Sequence, residues 1–161
     1  LALVDFDCEL ALHGGPPSPP APPEEDYQAE LRDLAKARAV RFGGRYDPPE
    51  MLDLLDGAVA LVVPSRVRES FGRTANEALL AKVPVLAPAG CGLAEQIDEG
   101  VNGWLFESGN AGSLAGAMKR MIDSRASFSP RGGKAAGTPW PEPLHLDAHV
   151  DRLLALYEEL L

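Results

Sequence analysis

Short apolar runs alternate along the chain with stretches whose apolar residues recur every three or four positions, the patterns of strands and helices in turn. Cys8 to Gly14, CELALHG, is an apolar run closing on glycine and predicts a buried strand that ends in a tight turn. From Glu25 to Ala37, Tyr27, Leu31 and Leu34 fall at i, i+4 and i+7 and predict a helix, with Glu24, Glu25 and Asp26 at its positive end. Ala39 to Phe42 predicts a second short strand, closing at Gly43-Gly44. Asp47-Pro48-Pro49-Glu50 has the form of a capping box with proline at the first helical position, starting a helix through Met51, Leu54 and Leu55. Val59 to Val63, Val83 to Leu86 and Trp104 to Phe106 predict further strands, each buried on both faces. Helical stretches are expected at Gly72 to Lys82, around Leu93 to Asp98, and at Ser113 to Ile122, where Leu114, Ala117, Met118, Met121 and Ile122 share a face. A last helix from about Asp147 to Leu160 sets Val150, Leu153, Leu154 and Tyr157 on one stripe.

Strands alternating with helices imply an α/β fold built on a Rossmann-like, doubly wound parallel sheet. Two stretches interrupt the alternation. GGPPSPPAPP, after the first strand, is so rich in proline that it lacks backbone donors and reads as a stiff surface loop. Asp123 to Leu144 is rich in Gly, Pro and Ser and reads as an irregular linker. The expected organisation is one body over residues 1–123, a linker over 124–144 and a terminal helix over 145–161 that packs on this body or on a missing amino-terminal one.

Composition narrows the class. A chain of 161 residues can bury a real core. With 45% apolar residues it contains no run of about 18 that would span a bilayer, so a soluble, cytoplasmic protein is expected. A net charge of -9 argues against nucleic acid as a partner. Cys8 and Cys91 are too few for a disulfide framework and lack zinc-site spacing, so both are expected as free thiols and no metal is expected. The chain opens at Leu1 without methionine, so a preceding unit is expected to be missing, and with no basic n-region or cleavage site no targeting segment is visible.

The chemistry concentrates in PSRVRESFGRTANE, Pro64 to Glu77. Ligands of open parallel sheets bind outside the carboxyl ends of the strands, where the loop after Val63 falls. That loop carries Arg66, Arg68, Glu69, Ser70 and Phe71, then enters a helix through Gly72. Glycine at a helix entry lets phosphate oxygens approach unpaired amides, and the helix dipole favours their charge. Arg73 in the first turn opposes that dipole by about 0.3–1 kcal/mol, which an adjacent anion would offset. Glu77 lies further into the helix and can lean back towards Glu69. Carboxylates accept hydrogen bonds from vicinal hydroxyls, so the two glutamates flanking a phosphate site fit a sugar nucleotide. Taken by themselves, two glutamates at this spacing are weak evidence, and a solvent-facing pair is the default reading.

The run from Pro64 to Phe106, PSRVRESFGRTANEALLAKVPVLAPAGCGLAEQIDEGVNGWLF, closely resembles the donor-site signature of family 4 glycosyltransferases with the GT-B fold. A loop glutamate, an aromatic-glycine pair, a helix glutamate, a Pro-Val strand, a Gly-x-x-Glu turn and an Asn-Gly-x-Leu strand follow in the family's order, and the match extends over roughly Cys8 to Ile122. The resemblance implies the C-terminal half of a GT-B architecture, truncated at its amino end, in an enzyme that transfers a hexosyl group from a nucleoside-diphosphate sugar with retention and without metal or cofactor. It implies that Glu69 aligns the transferred sugar as the catalytic residue, that Ser70 binds substrate, that the amides around Phe71, Gly72, Arg73 and Thr74 hold the pyrophosphate, and that Glu77 binds ribose. Gly14 would line the crevice floor and Arg41 would lie near the base.

By the same resemblance, a basic pair contacting the pyrophosphate and the site for a sugar or lipid-linked acceptor lie before Leu1, so the isolated chain is expected to bind donor weakly and not to turn over an acceptor. Peripheral membrane association of the full-length enzyme remains open. So do two other readings, a nucleotide-sugar epimerase of the same fold and a non-catalytic sugar-nucleotide-binding module. Asp5-Phe6-Asp7 has the Asp-x-Asp form of a metal site in another glycosyltransferase fold, but precedes its strand at the wrong edge of the sheet for a ligand. His13 is expected to be structural and Cys91 a small neutral residue of the donor-facing turn. Lys82 stands where the family places glycine in a left-handed turn, at a cost of about 1 kcal/mol.

Overall fold

The computed structural model describes residues 9–14, 24–35, 39–124 and 146–159. Asp5-Phe6-Asp7, Cys8, the proline-rich loop and all but the first residue of the expected 124–144 linker lie outside them. Contacts divide the chain into two units, Val4–Met51 on one hand and Leu52–Leu161 with Leu1–Leu3 on the other.

In the unit from Val4 to Met51, strand β1 (Leu10–His13), helix α1 (Glu24–Ala35) and strand β2 (Val40–Gly44) follow in order. The two strands pair in parallel, Leu10 opposite Val40, and the register slips after Leu12 so that His13 stands opposite Gly44. A parallel pair needs a crossover between its strands, and α1 lies in it. The stripe predicted for α1 is displaced. Leu31 is half-buried and Ala35 buried, but Leu34 is 54% exposed. Burial therefore runs along the side of Leu31 away from Leu34. Next to it Arg32 stacks its guanidinium 4.6 Å from the centre of the Phe42 ring, covering an aromatic face with a charged group.

The capping sequence acts as read, with a tighter start. The Glu50 carboxylate accepts the Asp47 amide at 2.7 Å. Pro48–Glu50 form a 3₁₀ turn that leads into α2 (Met51–Leu55). Met51 and Leu55, one turn apart, are buried.

In the unit from Leu52 onward, β3 (Leu61–Val62), β4 (Val85–Pro88) and β5 (Gly103–Phe106) form a parallel sheet in the order β3-β4-β5. The described strands are thus all parallel and form two sheets. Of the three strands expected to be buried on both faces, only β4 is so at every residue. In this sheet β4 alone has a strand on each side. β3 is two residues long and half-buried, and Val59 before it is 48% exposed.

Helix α3 (Arg73–Leu80) follows β3 and packs on β4, burying Ala75, Asn76, Ala78 and Leu79. At its end the left-handed turn is kept although glycine is absent, since Lys82 adopts φ 62°. The Lys82 amide donates to Leu79 O at 3.0 Å and the Val83 amide to Ala78 O at 2.8 Å, the two bonds of a Schellman motif. The helix expected around Leu93 to Asp98 is instead a 3₁₀ turn, Gly92–Gln96. Asn102 explains the early stop. Its buried side chain accepts the Asp98 amide at 2.7 Å and donates to Gln96 O at 2.9 Å, taking backbone groups that a longer helix would use internally.

Helix α4 (Ala111–Ser124) packs on β5 as its periodicity predicts. Leu86, Trp104, Phe106, Ala117 and Met121 form the buried cluster, with Leu114, Met118 and Ile122 against it. Helix α5 (Leu146–Glu159) closes the chain, and all of its side chains from Asp147 to Glu159 are exposed.

Candidate functional site

Beyond the carboxyl end of β3 the chain enters the loop from Val63 to Gly72, and beyond β4 it turns through Ala89 to Cys91 into the 3₁₀ turn. Arg68, Glu69 and Ser70 from the first segment and Gly90, Cys91, Gly92, Ala94 and Glu95 from the second line a recess of about 540 Å³. It is open and of mixed polarity, with two carboxylates, one guanidinium and several small residues that let a ligand approach the backbone.

Glu69 is half-buried and held by a neighbour, since Ser65 Oγ donates to its Oε1 at 3.2 Å. Ser65 is itself tied down through its backbone oxygen, which accepts Ser108 Oγ at 3.3 Å. A carboxylate fixed in this way loses less rotamer freedom when it meets a ligand.

The chain then reaches α3 through Gly72 in the left-handed region, φ 71°. A side chain there would be strained, and a Cβ would also stand 2.9 Å from Leu93 Cδ1. The first intrahelical bond runs from the Asn76 amide to Gly72 O at 3.1 Å, and no side chain caps the helix. The amides of Arg73, Thr74 and Ala75 therefore have no acceptor from within the helix. Gly92 brings the two segments closest, because a Cβ on it would lie 1.9 Å from Ser70 O.

Phe71 is 40% exposed and Thr74 half-buried. Arg73 Nε lies 3.6 Å from Glu77 Oε1 one turn on, with Arg73 exposed and Glu77 half-buried. Glu69 and Ser70 thus share the recess, whereas Gly72, Arg73, Thr74 and Glu77 occupy the start of α3 beside it without lining it. Gly14 and Arg41 belong to the other unit. Gly14 ends β1 with φ 116°, its amide on Gly44 O at 2.8 Å, and Arg41 Nε pairs with Glu9 Oε1 at 2.7 Å. His13, in the same unit, meets the Tyr46 ring edge to face at 6.2 Å.

Sequence reasoning did not single out Ser65, Arg68 or Glu95 as site residues. Arg68 and Glu95 stood within the motifs it used, and their places on the recess follow from the loop and the turn facing each other. Ser65 carried no signal besides its spacing of four from Glu69. Cys91 is a free thiol lining the recess, with Sγ donating to Pro88 O at 3.2 Å.

Residues 7–136 match the family described as glycosyl transferases group 1. The D-inositol 3-phosphate glycosyltransferase 1 of Catenulispora acidiphila is 33% identical over 165 residues, covering 96% of this chain and 38% of its own length. Its counterpart in Acidothermus cellulolyticus is 30% identical, over 94% of this chain and 33% of its own length. Among solved structures, a sucrose-phosphate synthase from Thermosynechococcus elongatus superposes with a TM-score of 0.72 at 27% identity, over 94% of this chain and 38% of that one. Anabaena HepE in complex with UDP gives 0.61 at 29% identity, over 72% of this chain and 31% of that one. The chain therefore spans well under half the length of the relatives it matches, with the α/β, Rossmann-like fold of one half of the GT-B architecture. By sequence and by fold alike, it belongs to the group 1 glycosyl transferases.

Proposed function

We propose that this chain is the donor-binding part of a retaining glycosyltransferase that moves a hexosyl group from a nucleoside-diphosphate sugar to an acceptor, without metal or cofactor, in the cytoplasm. The observation that carries this reading is the position of the recess holding Glu69 directly beside the uncapped start of α3. Sugar and diphosphate of one donor can then be held by adjacent parts of a single loop.

When the bond from the sugar to the diphosphate breaks, negative charge grows on the departing phosphate. Fixed amides from Gly72 to Thr74 stabilise that charge without the reorganisation that water would need. Arg73 adds a positive charge on the same turn. Glu69, oriented by Ser65, accepts hydroxyl hydrogens of the sugar and holds its anomeric carbon in line. Glu77 takes the ribose hydroxyls. Its pairing with the exposed Arg73 one turn away contributes about 0.3–0.5 kcal/mol, less than the roughly 1.5–3 kcal/mol of a hydrogen bond to a charged group, so ribose can displace it.

UDP is the first nucleotide to try, because HepE was solved with it. Acceptor binding and turnover are assigned to parts of a longer protein, since relatives such as that of Catenulispora acidiphila are covered over only 38% of their length. D-inositol 3-phosphate, the acceptor in the names of these relatives, is the first acceptor to offer that longer protein. A peripheral membrane contact and a lipid-linked acceptor belong to the same longer protein.

The test is a thermal-shift series with UDP, GDP, ADP and their glucose conjugates on the wild type and on Glu77→Ala. A nucleotide at one hundred times its Kd stabilises the folded state by about 2.7 kcal/mol, a rise of several degrees for a chain of this size. Glu77→Ala cuts that rise to about half or less at the same nucleotide concentration. If no nucleotide raises the wild-type midpoint, the donor reading is wrong. Sugar transfer catalysed by the 161 residues alone would refute the assignment of turnover to a longer protein.

A further inference from the structure

The loop and the 3₁₀ turn are tied at several points. The Leu93 amide donates to Glu69 O at 3.4 Å, and Gly92 lies against Ser70 O so closely that a side chain has no room. The remaining tie is made by a side chain. Gln96 Nε2 donates to Phe71 O, while Gln96 Oε1 accepts Asn76 Nδ2 at 3.2 Å. Asn76 sits in the buried face of α3, 9% exposed, and Gln96 O is itself gripped by buried Asn102. One amide side chain thus spans the loop, the helix that follows it and the turn that faces it.

The orientation of Gln96 is chemically determined. A carbonyl oxygen can only accept, so the nitrogen of the Gln96 amide must face Phe71 O, and its oxygen is left for Asn76. The consequence lies one atom further on. In a planar trans peptide the N–H of the next residue points opposite to the C=O. Holding Phe71 O against Gln96 therefore turns the Gly72 N–H away from Gln96. Gly72 is free to rotate about its own dihedrals, so without that hold nothing in its side chain would keep the peptide in one orientation.

We propose that Gln96 is a positioning residue for the diphosphate, setting the Phe71–Gly72 peptide so that the Gly72 N–H joins the first-turn amides of α3 at the anion. The proposal rests on the donor reading above and deepens it. Gln96 does not line the recess and is not a catalytic residue; it acts through a backbone group that would touch the ligand. A role of this kind affects phosphate binding and spares the nucleoside, whereas a purely structural role weakens both together.

The experiment compares Gln96→Glu with the wild type, using the tightest-binding of UDP, GDP and ADP, the matching nucleoside and inorganic pyrophosphate as probes, with affinities measured by calorimetry or NMR titration. Glutamate keeps the shape but, as a carboxylate, cannot donate to Phe71 O. The expected result is a loss of about tenfold or more in affinity for the diphosphate and for pyrophosphate, with nucleoside affinity within twofold of wild type. Because the carboxylate also repels an anion by its charge, Gln96→Met, which is neutral and removes both hydrogen bonds at similar volume, is measured alongside and is expected to show the same selective loss. Unchanged diphosphate binding overturns the role of Gln96 while leaving the donor reading intact, and so does a parallel loss for diphosphate and nucleoside. A wild type that binds no diphosphate overturns both.

Discussion

Lys82 holds a conformation that costs any L-residue energy, and it does so where two Schellman hydrogen bonds close α3. Replacing it with glycine removes that cost. Lys82→Gly should stabilise the fold by about 1 kcal/mol, seen as a rise of roughly 2–4 °C in Tm. Gly92 is the opposite case. Adding one methyl group there drives a Cβ into Ser70 O, and backbone has to move to accommodate it. Gly92→Ala should destabilise by about 1–3 kcal/mol, the range for overpacking, and calorimetry should show weakened nucleotide binding because the displaced segment carries Glu69. The place of the turn at Lys82 was legible, because resemblance marked it as one where the family has glycine; that lysine keeps the positive φ came from the structure. The constraint at Gly92 was not legible, since a close approach between segments 22 residues apart has no local pattern.

At the scale of elements, periodicity located strands and helices well wherever a core face repeats over three or more turns. Helix α4 is the clearest example, with Ala117 and Met121 buried and Leu114, Met118 and Ile122 packed around them. Met121→Ala should lower stability by about 2–5 kcal/mol, measured by urea unfolding. Shorter elements were less legible. The segment from Leu93 to Asp98 has helical spacing, yet Asn102 takes its backbone groups and ends it after a 3₁₀ turn. Spacing along one segment does not show a side chain arriving from another. The same limit hid the Ser65 to Glu69 bond and the Gln96 bridge, both of which depend on side-chain direction. The loop from Pro64 to Glu77 stood out for a different reason. Its two glutamates alone fit a solvated surface, and the resemblance of the whole run to a family signature singled it out.

At the scale of the whole molecule, helix α5 differs from the rest. A helix of 14 residues with all its side chains from Asp147 to Glu159 exposed lacks the packing that stabilises most helices in proteins. Its amides should exchange with deuterium orders of magnitude faster than those of β4, a contrast that peptide-resolved exchange would show within one time course. If both exchange at one rate, α5 is packed more firmly than its exposure implies. Along that helix Val150, Leu153, Leu154, Leu156 and Tyr157 are each at least 40% exposed. The chain carrying this greasy surface also carries a net charge of -9. Like charge keeps two copies apart at low ionic strength, and added salt shortens the range of that repulsion to about 3 Å at 1 M. The apolar row is then left with no opposing force, so colloidal behaviour, unlike folding, should turn on the salt in the buffer.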